Sequence, residues 1–199
     1  METAAAISQF TDHIRTVVDL RDDEAALLAS SVTFATLQPK EFLFTAGQVS
    51  SHMRYIASGC MRSYYLTEDS EEHTLQIGVE HWWINDLYSY LTQQPSRMYL
   101  QALEPTLVLQ IHRDVLEKLY REIPAMNTFF RLKIQSGYVA LQERTLDNMS
   151  TDTFEKYVKF CTQYRHIEQR VPQYIIASYL GTTPENLSYL RKKYASRLS

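Results

Sequence analysis

The sequence predicts an α+β chain: an antiparallel β-sandwich or barrel entered from helices, a long helix after it, and a C-terminal pair of helices around a tight turn. Three observations carry this. Between Val32 and His112, short apolar or alternating runs recur at 8–12-residue spacing, separated by turn-type clusters. From Ala125 to Asn148, apolar residues recur at spacings of three and four. From Val171 to Lys193, Pro, Gly and a Thr-Pro pair punctuate two short apolar periods.

Taken in order, Ile7, Phe10, Ile14, Val17 and Val18, then Leu27 and Leu28, give the first 30 residues a helical period, and Asp22-Asp23-Glu24 suits a helix start. The strand runs EFLFTAG, MRYIASG, CMRSYYLT, HTLQIGV, MYLQAL and TLVLQI follow, with turns at Gln38-Pro39-Lys40, Gly47-Gln48, Ser58-Gly59, Glu68-Asp69-Ser70 and Glu104-Pro105. One stretch, HWWINDLYSYLTQQPS, has helical spacing inside the strand series and is a candidate ligand-binding insertion. A short helix, DVLEKLYREI, then stops at Pro124.

On the long helix, Phe130, Ile134, Gly137 and Leu141 form one stripe, while Phe129, Leu132, Val139 and Leu146 lie on other faces. Two readings stay open: a coiled-coil-like dimer seam with Gly137 at the close approach, or a core helix buried all round. Met149-Ser150-Thr151 marks a boundary, and Asp152 with Glu155 starts a new helix. The expected domains are 1–149, carrying the dimerisation helix at about 125–148, and 150–199.

Composition bounds the function classes. The 199 residues are 45% hydrophobic and 22% charged, with no apolar run long enough to span a membrane and no basic-then-apolar leader at the N-terminus. Cys60 and Cys161 stand alone, so a reducing cytoplasmic setting is expected and neither a disulfide framework nor an iron–sulfur cluster is. The net charge of −3 conceals a division. Residues 150–199 hold eight Lys or Arg against four acids, a net of +4, while 1–149 hold 12 against 19, a net of −7. A basic segment on an acidic body suits one part that meets a polyanion.

Residues 171–193 sharpen that. Ile176 and Leu180 face inward at i and i+4, and Ala177 is small enough for a close helix crossing. Gly181 can take the left-handed conformation that ends a helix; Thr183 is a natural N-cap with Pro184 at N1. Leu187 and Leu190 return to the same core. This is the helix-turn-helix pattern of DNA-binding proteins. Pro184, Glu185, Ser188 and Tyr189 are the candidate base-facing residues, Glu185 for cytosine N4 and Ser188 for either base type. Arg191, Lys192, Lys193 and Arg197 suit phosphates, and Tyr174 and Thr183 can add hydroxyl or backbone contacts.

With the Ile176–Ser188 stretch and its basic tail, the Phe154-Glu155-Lys156-Tyr157 start, and Gly47 and Gly59 at turns, the chain resembles the Crp/Fnr superfamily of transcription regulators (cyclic-AMP receptor protein and its relatives), in its Bacteroidetes-type form. The resemblance implies an N-terminal antiparallel β-roll, like a cyclic nucleotide-binding domain and of jelly-roll type, a long dimerisation helix and a C-terminal winged helix-turn-helix. It implies a homodimer on double-stranded DNA, possible contact with RNA polymerase, and no catalysis. Little chain follows the second helix from which to build a wing.

The departures bear on the effector. Family members that bind cyclic AMP carry Gly-Glu and then Arg-Ser-Ala; here the stretches read Trp82-Trp83-Ile84-Asn85-Asp86 and Pro95-Ser96-Arg97-Met98-Tyr99. Ser96 stands at the phosphate-binding arginine, and a one-residue slip bringing Arg97 there would turn its side chain to the other face. Cyclic AMP is therefore not expected, and no cofactor is. A small-molecule pocket would draw on Trp82, Trp83, Asp86, Tyr88, Ser96, Arg97 and Tyr99, with Ser136, Gly137 and Tyr138 from the long helix. Relatives place an arginine where Tyr189 stands. Two other readings are a cyclic-nucleotide-type or small-molecule module without DNA binding, and a cupin-like metalloenzyme. His52, His73, His81 and His112 form no His-x-His pair, which argues against a metal.

Overall fold

The computed structural model describes residues 2–198. Helices α1 (Glu2–Arg15) and α2 (Asp22–Ser30) precede strands β1 (Thr33–Leu37), β2 (Phe42–Phe44), β3 (His52–Ser58), β4 (Met61–Leu66) and β5 (Glu72–Gly78). Helix α3 (Leu87–Thr92) interrupts the strand series before β6 (Met98–Ala102) and β7 (Thr106–His112). The rest is helical: α4 (Arg113–Glu122), α5 (Pro124–Ser150), α6 (Thr153–Gln163), α7 (Arg165–Glu168), α8 (Gln173–Leu180) and α9 (Pro184–Leu198).

The strands form two antiparallel sheets, ordered β1-β7-β3 and β2-β6-β4-β5. Alternation puts Ile56, Met61, Leu100, Ala102 and Val108 between them, all fully buried, and they form one apolar cluster with Phe44 and Ile84. The β3–β4 connection, which crosses from one sheet to the other, requires Gly59, at φ +97°, because a Cβ there would meet Thr106 Oγ1 and come within 2.6 Å of Pro105 O. A second cluster seats α1 on the roll: Phe10 and Ile14, one turn apart, lie against Tyr55, with Leu116, Met126, Phe129 and Phe130 from α4 and α5.

The long helix starts with Pro124 at its first positions. Only its first two turns belong to the core. Phe130 is 3% exposed and packs edge-on against Trp83 at 4.9 Å, so it cannot serve the dimer seam assigned to it from spacing. Beyond it Ile134, Tyr138, Val139, Leu141 and Leu146 are all exposed, which excludes the buried-core alternative.

The third cluster is the C-terminal unit. Asp152 caps α6 by accepting from Glu155 N at 2.9 Å. Ile176, Leu180, Leu187 and Leu190 converge as the motif requires, with Tyr157, Phe160 and Ile167 beneath them. Among the described residues no strand lies between 150 and 198. The wing of the expected winged helix-turn-helix is thus not built by this segment, and the short helix α7 stands between α6 and α8 instead.

Candidate nucleic-acid interface

Gly181 ends α8 at φ +68°, ψ +40°, and Thr182 N then donates back to Ala177 O at 2.9 Å, the hydrogen-bond closure of a left-handed helix end. Thr183 starts α9: its Oγ1 accepts from Asn186 N at 3.2 Å. The turn therefore sets α9 across α8 with Leu187 and Leu190 inward. Pro184, Glu185, Ser188, Tyr189, Arg191 and Lys192 are left exposed on the opposite side, the arrangement a major-groove helix needs. The Glu185 carboxyl is held below the usual range by its own backbone N–H and by the Thr183 hydroxyl, so it is an ionised acceptor.

Two of the assigned residues turn elsewhere. Lys193 Nζ lies 4.3 Å from the ring centre of Phe154, drawn back onto its own unit and away from the reading side. Tyr174 leans toward the roll, 5.8 Å from the Arg62 guanidinium. The side chain of Arg197 lies outside the described residues.

The helix-turn-helix is docked on the roll. Strand β5 is a sheet edge, and Ser178 of α8 covers it, donating to Glu72 O at 2.6 Å and accepting from Thr74 N at 2.8 Å. Arg144 of α5 reaches three carbonyls: Leu75 O, Thr74 O at 3.2 Å and Tyr179 O at 3.0 Å. Burial pushes its guanidinium below the usual range. Arg170, just before α8, forks onto both Glu80 oxygens at 2.8 and 2.9 Å and also pairs with Glu104. Glu80 accepts from Gly59 N as well, and chiefly through the Arg170 hydrogen bond its carboxyl is lowered to about 2.

The pocket residues read from the sequence do not converge. Residues 82–86 form no helix, and Trp83 is bridged to Tyr55, so neighbouring tryptophans point to opposite sides. Trp82 meets Tyr164 of the C-terminal unit at 5.7 Å, while Trp83 packs among Phe10, Tyr55 and Phe129. Tyr99 stacks on Tyr64 at 5.2 Å, on the face of its sheet away from Leu100. Tyr88, Arg97, Ser136, Gly137 and Tyr138 are exposed. Only Asp86 and Ser96 come together, buried, with Ser96 Oγ donating to Asp86 Oδ2 at 2.5 Å. Among the described residues no three His, Cys, Asp or Glu side chains gather as a metal site, and no helix is long and apolar enough to cross a membrane.

Comparisons with known proteins find one domain match and several regulators of similar fold. Residues 34–122 match the cyclic nucleotide-binding domain. The chain is 25% identical over 171 residues to the anaerobic regulatory protein of Haemophilus influenzae, covering 79% of this chain and 65% of that protein. The whole fold is shared with the c-di-GMP responsive global regulator CLP of Xanthomonas campestris, at TM-score 0.73 and 11% identity over 89% of this chain and 93% of that one. It is shared equally with FixK2 of Bradyrhizobium japonicum, at TM-score 0.72 and 16% identity over 83% and 85%. The chain has the fold of these regulators, with a match to the cyclic nucleotide-binding domain over residues 34–122.

The start of α3 in the roll does not fit a cyclic nucleotide phosphate. Asp86 caps α3 by accepting from Ser89 N at 3.1 Å, so a carboxylate occupies the helix start. The buried cation nearby, Arg54, was not singled out from the sequence. It donates through Nη1 to Ser50 Oγ and His52 O, both at 3.0 Å, and burial lowers it to about 10. Its Nε alone is buried without a partner. The Asp86 carboxylate at the start of α3 repels an anion at the place where a phosphate would sit.

Proposed function

We propose that the chain is a homodimeric, sequence-specific DNA-binding transcription regulator that works without cyclic AMP. The observation that carries this is the α8–Gly181–α9 turn, which buries one side of α9 and leaves Glu185, Ser188, Arg191 and Lys192 exposed on the other. Base edges are read from the first turns and phosphates are met by the cations that follow. The exposed stripe of Ile134, Tyr138 and Leu141, with open space around Gly137, supports pairing of α5 with a second copy. The Asp86 carboxylate at the start of α3 supports independence from cyclic nucleotides.

Fluorescence anisotropy on genomic fragments at about 100 mM salt tests the reading. Sequence-selective retention is expected, weakened by Lys192→Ala on every fragment and unchanged by added cyclic AMP. Equal binding to all fragments, or none, refutes it.

A further inference from the structure

A cleft of about 500 Å³ opens between α7 and the second half of α9. Arg165 and Glu168 stand on one wall, Ser188, Arg191 and Lys192 on the other, with Tyr157 at the floor. The cleft is continuous with the reading side of α9, since Ser188 and Lys192 follow Pro184 at one and two turns. Its charges are unequally engaged. Arg191 pairs with Glu168 at 3.4 Å, which neutralises the acid. Arg165 and Lys192 are exposed, and among the described residues no acid pairs with either.

Three other described cations of this basic quarter have partners within the chain: Lys159 has Asp147 at 2.5 Å, Arg170 has Glu80, and Lys193 has the Phe154 ring. With no strand among residues 150–198 to act as a wing, α7 is the element that flanks α9.

We infer that this cleft seats a phosphodiester strand of the bound duplex, with Arg165 and Lys192 as its phosphate contacts. The inference rests on the DNA-binding reading and adds α7 as a second contact element. A guanidinium on one wall and an ammonium on the other bracket a polyanionic strand, and Ser188 gives it a hydroxyl donor.

The test uses the full chain and a mixed-sequence duplex of about 30 base pairs, since phosphate contacts are sequence-independent. Affinity is measured by anisotropy from about 50 to 200 mM salt. Arg165→Ala should lower the slope of log K against log salt by about 0.9, and Arg165→Ala with Lys192→Ala by about twice that. Arg165→Lys should keep the wild-type slope. Thermal melting of each variant at the wild-type temperature shows the fold is kept. Wild-type binding with an unchanged slope in Arg165→Ala overturns the cleft and leaves the DNA-binding reading standing. A wild-type chain that binds no duplex overturns both.

Discussion

Replacing Arg170 by alanine should uncouple the helix-turn-helix from the roll. The side chain forks onto Glu80 and also meets Glu104, and it lies 66 and 90 residues from these partners, so nothing local substitutes for it. Removal leaves two carboxylates facing each other, with only backbone N–H groups, those of Gly59 and of Glu80 itself, still donating to Glu80. The depression of Glu80 to about 2 corresponds to roughly 3 kcal/mol at about 1.4 kcal/mol per unit. Arg170, Glu80 and Glu104 are each 28–32% exposed, so solvent screening reduces this to about 1–2 kcal/mol. For a chain of this size that is a fall of about 2–8 °C in the melting midpoint.

The pH dependence adds a signature. Glu80 titrates lower folded than unfolded, so its contribution is complete above the ordinary carboxylate range near 4.5 and fades as pH falls toward 2. Wild type should lose stability over that window, and Arg170→Ala should lose less. Limited proteolysis near the Ser150–Asp152 junction should be faster in the variant. A variant with the wild-type midpoint, pH profile and cleavage rate would refute the clamp.

Other substitutions follow from the same contacts. Gly181→Ala forces a Cβ into φ +68° with open space around it, so the cost is backbone strain of about 1 kcal/mol, read by chemical denaturation. Ser178→Ala leaves Thr74 N without its hydroxyl partner and should destabilise by about 1–2 kcal/mol in the same assay. Ile134→Glu with Leu141→Glu places charge on the exposed stripe of α5 and should halve the mass seen by sedimentation without lowering the melting point. A dimer that survives both changes places the seam elsewhere.

Much of this was legible where the chemistry is local. The α8–α9 turn follows from Gly181, Thr183 and Pro184, each acting within four residues, and the strands of the roll follow from alternation between turn residues. Sheet pairing is non-local, and so are the contacts that fix the C-terminal unit. Nothing in the sequence sets Arg62, Arg144 and Arg170 apart from other charges, yet Arg62 is 2% exposed and pairs with Glu72 at 2.5 Å. Their partners lie on other elements, so no spacing announces them. Helix α7 has four residues, too few to show a period. The Trp82–Trp83 pair misled through the opposite error, a helical spacing imposed on a non-helical segment that sends its side chains apart. The division of charge, −7 against +4, marks the segment that carries the helix-turn-helix, but most of the described cations behind the +4 hold that unit to itself or to the rest of the chain.

The central claim is that two copies read DNA together. Selection of bound duplexes from a randomised pool of about 30 base pairs measures it directly. The account predicts enrichment of a two-fold symmetric motif whose half-sites are centred about 10 base pairs apart. A recovered pool as random as the input, or a single asymmetric site bound by one copy, would contradict it.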